Sequence, residues 1–172
     1  MEQKPVEAGG EPAAGPRAFG FLTTVESPAH GVFGGYLLVD PWGRPLEFHC
    51  TAPVKVSRAQ QILYGATLTP HLHGQQIGAT LLAEGGLVPQ VVFTDVESMM
   101  HVRGHTKLPV ALVSEPAAGA GFVAGAATVS THESDADRRD EVRGVIEELA
   151  ESVDLREPFE RIRAAIEEAQ RH

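Results

Sequence analysis

The most chemically suggestive feature of this sequence is a carboxylate pair, Asp95 and Glu97, directly after the apolar run at 91–93. A carboxylate at the end of a buried strand can bind a metal ion or act as an acid or base in catalysis. The same position also suits a helix start, because acidic side chains complement the helix dipole and cap free backbone amides. The pattern favours the second interpretation, with Asp95 capping a helix over 95–103, and leaves Asp95 as a weak catalytic candidate.

A second polar constellation lies on the predicted strand at 45–53. Glu47 and His49 are two residues apart, so their side chains share one face of this strand. That face could bind a small ligand, and it is equally typical of an ordinary solvated or helix-covered surface. Cys50 points to the opposite face and cannot pair with His49, so we expect it to be a small core residue.

His73 belongs to the helical segment at 69–86, where it is in line with Ile77 and Leu81. This spacing is that of a buried stripe, so we expect a hydrogen-bonded core histidine and not a metal ligand. No metal site is predicted elsewhere, because no set of ligands with suitable spacing is present.

Two surfaces are candidates for contact with a protein partner. Trp42 lies in the turn at 40–45, where a hairpin would expose the indole ring. The C-terminal helix carries an apolar stripe at alternating spacings of four and three, formed by Leu155, Phe159, Ile162 and Ile166. Such a stripe must be buried, either against the protein's own sheet or against a partner, including a second copy of this chain.

The elements that would position these residues follow from hydrophobic periodicity and turn signals. Strands are predicted at 18–26, 32–40, 45–53, 90–94 and 108–114, and helices at 57–65, 69–86, 95–103, 134–153 and 155–172. Residues 122–129 could form an edge strand or stay irregular. The expected class is α/β, with a mixed sheet that begins with three antiparallel strands and continues as helix-strand-helix-strand units, followed by two acidic helices.

The chain is long enough for one domain, at 172 residues. Residues 1–17 are rich in Gly, Pro, Ala and Glu and are predicted to be a disordered tail. The α/β domain is expected to span 18–153, with 154–172 as an amphipathic helix packed on the domain or on a partner.

Charge and hydropathy exclude several classes of function. The net charge is −9, and residues 133–172 hold 13 acidic against 7 basic side chains. Because no basic cluster is present, we expect no nucleic-acid partner. No apolar run is long enough to span a bilayer and no signal peptide is visible, so a cytoplasmic protein is expected, and its single cysteine is consistent with a reducing compartment.

The order of the elements at 18–150 resembles the ribonuclease H-like fold. In that family the fourth strand ends in a catalytic Asp, which Asp95 matches, and a late loop His precedes an acid-bearing helix. The segment at 131–142, with His132 and three nearby acids, is similar to this last feature. The resemblance implies that one of Asp135, Asp137 and Asp140 would join Asp95.

The family's chemistry uses two metal ions that share carboxylate ligands from several elements. This sequence departs from that pattern, since the first strand has no internal acid and the first helix offers Gln60 and Gln61 where a Glu would belong. The expected function is therefore a noncatalytic α/β domain that acts through protein contacts, with a homodimer as one form of it, and without a cofactor. The alternative is a divergent nuclease or phosphodiester hydrolase, dependent on Mg²⁺ or Mn²⁺ and centred on Asp95.

Overall fold

Seven strands form one mixed sheet in the order β3-β2-β1-β4-β5-β7-β6 in the computed structural model, which describes residues 17–115 and 121–171. The strands are β1 (Phe19–Ser27), β2 (Gly31–Val39), β3 (Pro45–Cys50), β4 (Val92–Thr94), β5 (Val110–Ser114), β6 (Phe122–Ala124) and β7 (Ala127–Thr131). The first three strands are antiparallel, and β4 and β5 continue parallel to β1. This arrangement confirms the predicted α/β class and its ribonuclease H-like order.

Helices cover both faces of the sheet. They are α1 (Arg58–Tyr64), α2 (Leu68–Pro70), α3 (Thr80–Glu84), α4 (Arg139–Ala150) and α5 (Glu157–Gln170), with a π-helix at His71–Ala79 and 3₁₀ helices at Gly65–Thr67, Glu97–His105 and Glu133–Arg138. The π-helix, α3 and the 3₁₀ helix Glu97–His105 cover one face, and α4 and α5 cover the other. None of the described helices is long and apolar enough to cross a membrane.

The turn between β2 and β3 forms as its sequence predicts. The Gly43 amide donates to the Asp40 carbonyl at 2.9 Å, and Gly43 adopts a φ of +87°, which a residue without Cβ tolerates. The Asp40 carboxylate accepts from the amides of Trp42 and Arg44, and the strand register shifts between Leu38 and Val39. The hairpin expected at 40–45 is therefore confirmed, and it contains a bulge in β2.

The strand β3 turns its faces the other way from the prediction, which placed Cys50 in the core and Glu47 and His49 on the opposite face. Cys50 is exposed, and Phe48 is 40% exposed. Glu47 and His49 are half-buried instead, because the loop after α3 lies against them. The prediction that Cys50 is a core residue is therefore wrong, since β3 is an edge strand on which α3 covers the polar face.

The two C-terminal helices belong to the protein's own core. Leu155, Phe159, Ile162 and Ile166 are at most 2% exposed, and they pack with the aromatic side chains of β1 and β4. The Phe159 ring meets Phe21 edge-on at 5.4 Å between centroids. The prediction of these four residues as partner-binding is therefore wrong, because the sheet already buries the stripe.

Two further expectations concern the ends of the predicted domain. Residues 122–129, left undecided by the pattern, supply β6 and the start of β7, which form an antiparallel hairpin at the sheet edge. The predicted disordered tail at 1–17 lies outside the described residues except for Arg17, whose guanidinium pairs with Glu148 of α4.

Candidate active site

Asp95 directly follows the carboxyl end of β4, which lies between β1 and β5 in the sheet. All three strands are parallel, so their carboxyl ends meet at one edge. Asp95 does not cap a helix: the following 3₁₀ helix begins at Glu97, and no side chain caps it. The prediction of a helix cap is wrong because long-range partners occupy the Asp95 carboxylate.

Those partners come from β1 and α5. The Thr23 hydroxyl, buried in β1, donates to Asp95 Oδ1 at 2.6 Å. The Arg163 guanidinium of α5 donates to Asp95 Oδ2 at 2.5 Å and lies 3.4 Å from the Thr23 oxygen. The Asp95 side chain is 22% exposed and that of Arg163 is 40% exposed, so solvent or a ligand can reach this pair.

A cleft of about 790 Å³ opens beside the pair. Its walls include the last three residues of β5, Ser130 of β7, the start of the 3₁₀ helix Glu97–His105, and the first two turns of α5. The charged side chains that line it are Asp95, Glu97, Glu115, Glu160, Arg156 and Arg163. The two arginines offer planar donor groups of the kind that bind phosphate in a bidentate manner.

The residues present do not fit a two-metal centre. Both carboxylate oxygens of Asp95 already have partners, so a cation would have to displace Arg163. The described ranges contain no group of three or more His, Cys, Asp or Glu side chains that could hold a metal ion. Thr23, an alcohol, occupies the β1 position beside Asp95 where a shared carboxylate ligand would be needed.

The late acidic segment does not join Asp95. Asp135 is fully buried, pairs with Arg103 and Arg138, and accepts from the Val110 amide at the start of β5. The cleft lies at the other end of β5, about 13 Å away at the usual rise of a strand. His132 caps the turn that holds Asp135, through its Nδ1 and the Ser134 amide. The expectation that this segment completes an acidic site is therefore wrong.

Asp137 and Asp140 belong to the same segment, on the 3₁₀ helix Glu133–Arg138 and on the first turn of α4. Neither lines the cleft around Asp95.

Glu47 and His49 do come together, with His49 Nε2 at 2.8 Å from Glu47 Oε1. The Gly86 amide donates to the same carboxylate oxygen, and this bond together with His49 lowers the pKa of Glu47. The pair thus ties the loop after α3 to β3, and its role in ligand binding stays a prediction. Trp42 is 66% exposed at its turn, with the Arg44 guanidinium 5.4 Å from the ring centroid.

The sequence reasoning missed Thr23, Arg156 and Arg163. Thr23 offered one signal, because it is a polar residue in the apolar strand β1. Arg163 follows Phe159 by four positions, which places it beside the buried stripe of α5 and so near the sheet. Neither signal specifies the edge of the sheet that each side chain reaches.

Comparison with known proteins gives structural likenesses only. No protein-family model and no curated protein matches the sequence. Human ENDOV aligns over 66% of this chain and 52% of its own, with 15% identity and a TM-score of 0.39. Endonuclease V of Ciona intestinalis, in complex with DNA that contains an inosine, aligns over 75% of this chain and 56% of its own, with 14% identity and a TM-score of 0.35. Marinitoga piezophila Argonaute, in complex with guide RNA and target DNA, aligns over 56% of this chain and 15% of its own, with 12% identity and a TM-score of 0.27.

The chain spans about half the length of these endonuclease V structures. Among these structures, the Ciona intestinalis protein is an endonuclease in complex with DNA, and the Argonaute structure contains guide RNA and target DNA. Against these findings, two predictions are wrong: the noncatalytic protein-interaction domain and the exclusion of a nucleic-acid partner. The first has also lost its physical basis, because the stripe on α5 is buried within the domain.

Proposed function

We propose that this protein is a divergent nuclease or phosphodiester hydrolase that acts on nucleic acid, with the cleft around Asp95 as its active site. The observation that carries the proposal is the position of the Asp95–Arg163 pair, at the carboxyl ends of three parallel strands and beside a cleft. In α/β sheets, ligands bind outside the carboxyl ends of the strands. The likeness in fold to nucleases is an analogy and adds no weight of its own.

Arg163 and Arg156 would hold the phosphodiester. Arg163 would exchange its contact with Asp95 for a non-bridging phosphate oxygen, and its positive charge would stabilise the charge that develops on phosphorus-bound oxygens. Arg156 forms a long ion pair with Glu115, at 3.9 Å, and both side chains are exposed. Because such a pair contributes little free energy, a phosphate can displace Glu115 at little cost.

Asp95 would then act as the base. Released from Arg163 but still fixed by the Thr23 hydroxyl, its carboxylate would take a proton from a water molecule as the water oxygen attacks phosphorus. The bond from phosphorus to the leaving oxygen breaks, and solvent protonates that oxygen. The products are an alcohol and a phosphate monoester, and no step requires a metal ion.

The four carboxylates and two guanidiniums of the cleft give a formal charge of −2, which opposes a polyanion. Binding should therefore be weak at low cation concentration, and Mg²⁺ or Mn²⁺ from solution could assist by screening alone.

The test is cleavage of labelled single-stranded and duplex DNA and RNA, each with EDTA, Mg²⁺ or Mn²⁺. The wild-type chain should cleave at least one substrate, and Asp95→Asn and Arg163→Ala should each lower kcat/KM by about 10²-fold or more. Arg171→Ala is the matched control, since Arg171 directly follows the same helix and pairs with Glu168 at its exposed end. Thermal unfolding confirms that each variant is folded.

The proposal fails if the wild-type chain cleaves none of these substrates under any cation condition. It also fails if folded Asp95→Asn retains full turnover, because the cleft would then not be the site of the reaction.

A further inference from the structure

Helix α1 contributes nothing to the protein's core. All residues at 57–67 are exposed, including the whole of α1. Ile62 is 64% exposed, Leu63 82% and Tyr64 37%, which makes this the largest run of consecutive exposed apolar side chains in the described ranges. A helix normally buries its apolar side chains against the sheet, so this cluster is available to a partner.

The chain around α1 lies at the edge of the sheet that holds Asp95. Val54 forms a bridge with Val32, beside the end of β1, which fixes the entry to α1 at this edge. On the exit side, the Tyr64 ring contacts the His71 ring at 4.9 Å between centroids. His73 follows His71 by two residues, and its Nδ1 lies 2.5 Å from the hydroxyl of Ser98. Ser98 in turn follows Asp95 by three positions.

Charge identifies the kind of partner. Residues 48–83 contain no Asp or Glu, although the whole chain has 23. The charged side chains of this stretch are Lys55 and Arg58, and neither pairs with a carboxylate of any described residue. Arg58 donates to the side chain of Gln61, one turn along α1. This stretch of the described residues therefore presents cations without carboxylate partners beside exposed aromatic and aliphatic groups, and that combination suits a nucleic-acid strand.

We infer that α1 and the Tyr64–His71 ring pair form a base-stacking platform for single-stranded nucleic acid. The inference rests on the proposed function, because the strand that stacks on this platform would continue into the cleft at Asp95. Unstacked bases would lie on the Tyr64 ring and the aliphatic side chains of Ile62 and Leu63, while Lys55 and Arg58 contact phosphates. A duplex, whose bases are already stacked, would bind more weakly.

The experiment measures fluorescence anisotropy of a labelled single-stranded oligonucleotide and of its duplex at fixed salt. Every protein also carries Asp95→Asn, which removes the proposed base and so prevents turnover. Tyr64→Ala should raise the Kd for the single strand about tenfold, Leu63→Ser should raise it several-fold, and Tyr64→Phe should retain wild-type affinity. Val88→Ser is the control, because Val88 is an equally exposed apolar residue outside α1, at 77%. Since α1 has no buried side chain, these variants should fold normally.

Wild-type affinity in Tyr64→Ala, or equal affinity for single strand and duplex, would overturn the inference. So would sedimentation that shows a dimer dissociated by Leu63→Ser, since a second copy would then occupy the surface. The readout is binding without turnover. A chain that binds single strands through Tyr64 but cleaves no phosphodiester would therefore refute the proposed function and support the platform.

Discussion

Asp95 is held by two residues that are distant in sequence, Thr23 of β1 and Arg163 of α5. A partly exposed ion pair of this kind contributes little to stability, because solvent screens it. Its geometry matters more than its energy, since it keeps a guanidinium and a carboxylate at the mouth of one cleft. Asp135 is the opposite case: it is fully buried, paired with two arginines and far from the cleft at Asp95, so its role is structural.

His73 is buried at 8% exposure, as its stripe with Ile77 and Leu81 predicts. Replacing it with Ala should lower the free energy of unfolding by about 2 kcal/mol, through a cavity and the loss of the partner of Ser98. Urea denaturation at neutral pH measures this change. An unchanged midpoint would show that the ring contributes no packing.

The same residue makes stability depend on pH. Burial lowers the pKa of His73 below its ordinary value of 6.5, with Glu26 partly opposing that effect. The unfolded chain therefore binds a proton near pH 6.5 while the folded chain does not, and stability falls as pH decreases from 6.5 towards the lowered pKa. His73→Ala should flatten the curve of unfolding free energy in this window. An equally steep curve in His73→Ala would show that other groups cause the pH dependence.

At the scale of elements, β2 allows helices to approach both faces of the sheet through two consecutive glycines. A Cβ on Gly34 would lie 2.2 Å from Ile77 Cγ2 of the π-helix, and one on Gly35 would lie 2.4 Å from Ile162 Cγ2 of α5. Each contact is far below van der Waals distance, so the helix would have to move away from the sheet.

We expect Gly34→Ala and Gly35→Ala each to destabilise the protein by about 1–3 kcal/mol, since overpacking forces such shifts. Gly144→Ala is the matched control, because Gly144 lies on the exposed face of α4 and a Cβ there would meet nothing within 4 Å. That change should stabilise by up to about 1 kcal/mol through helix propensity. Thermal and chemical denaturation of the three variants tests both signs. Destabilisation in all three, or in none, would contradict this account of β2.

At the scale of the whole molecule, α5 is a core element that also supplies cleft residues. A chain truncated after Val153 would lose Phe159, Ile162 and Ile166 from the face packed on β1 and β2, together with Arg163. We expect the truncated chain to be unfolded or aggregated, because several fully buried large side chains are lost at about 1.5–3 kcal/mol each. Circular dichroism and sedimentation compare it with the full chain. A folded monomeric truncation would show that α5 is dispensable to the core.

The sequence alone determined the features that depend on neighbours along the chain. Apolar runs bounded by turn signals specified the strands β1, β2, β4 and β5, and the turn at 40–45 contains Pro41 and Gly43, residues that suit turn positions. The order of these elements predicted the class of sheet, and the place of Asp95 at the end of β4 followed from that order.

Only the tertiary structure decided which side chains surround Asp95. Arg163 is separated from it by 68 positions, and Asp135, one of the three acids that the resemblance suggested, lies at the opposite edge of the sheet. Amphipathic spacing shows that a helix such as α5 must bury one face, but the covering surface could have been a partner or the sheet. Packing between segments far apart in sequence decides which surface the helix contacts and at which edge of the sheet its polar residues lie. Local periodicity does not specify that packing.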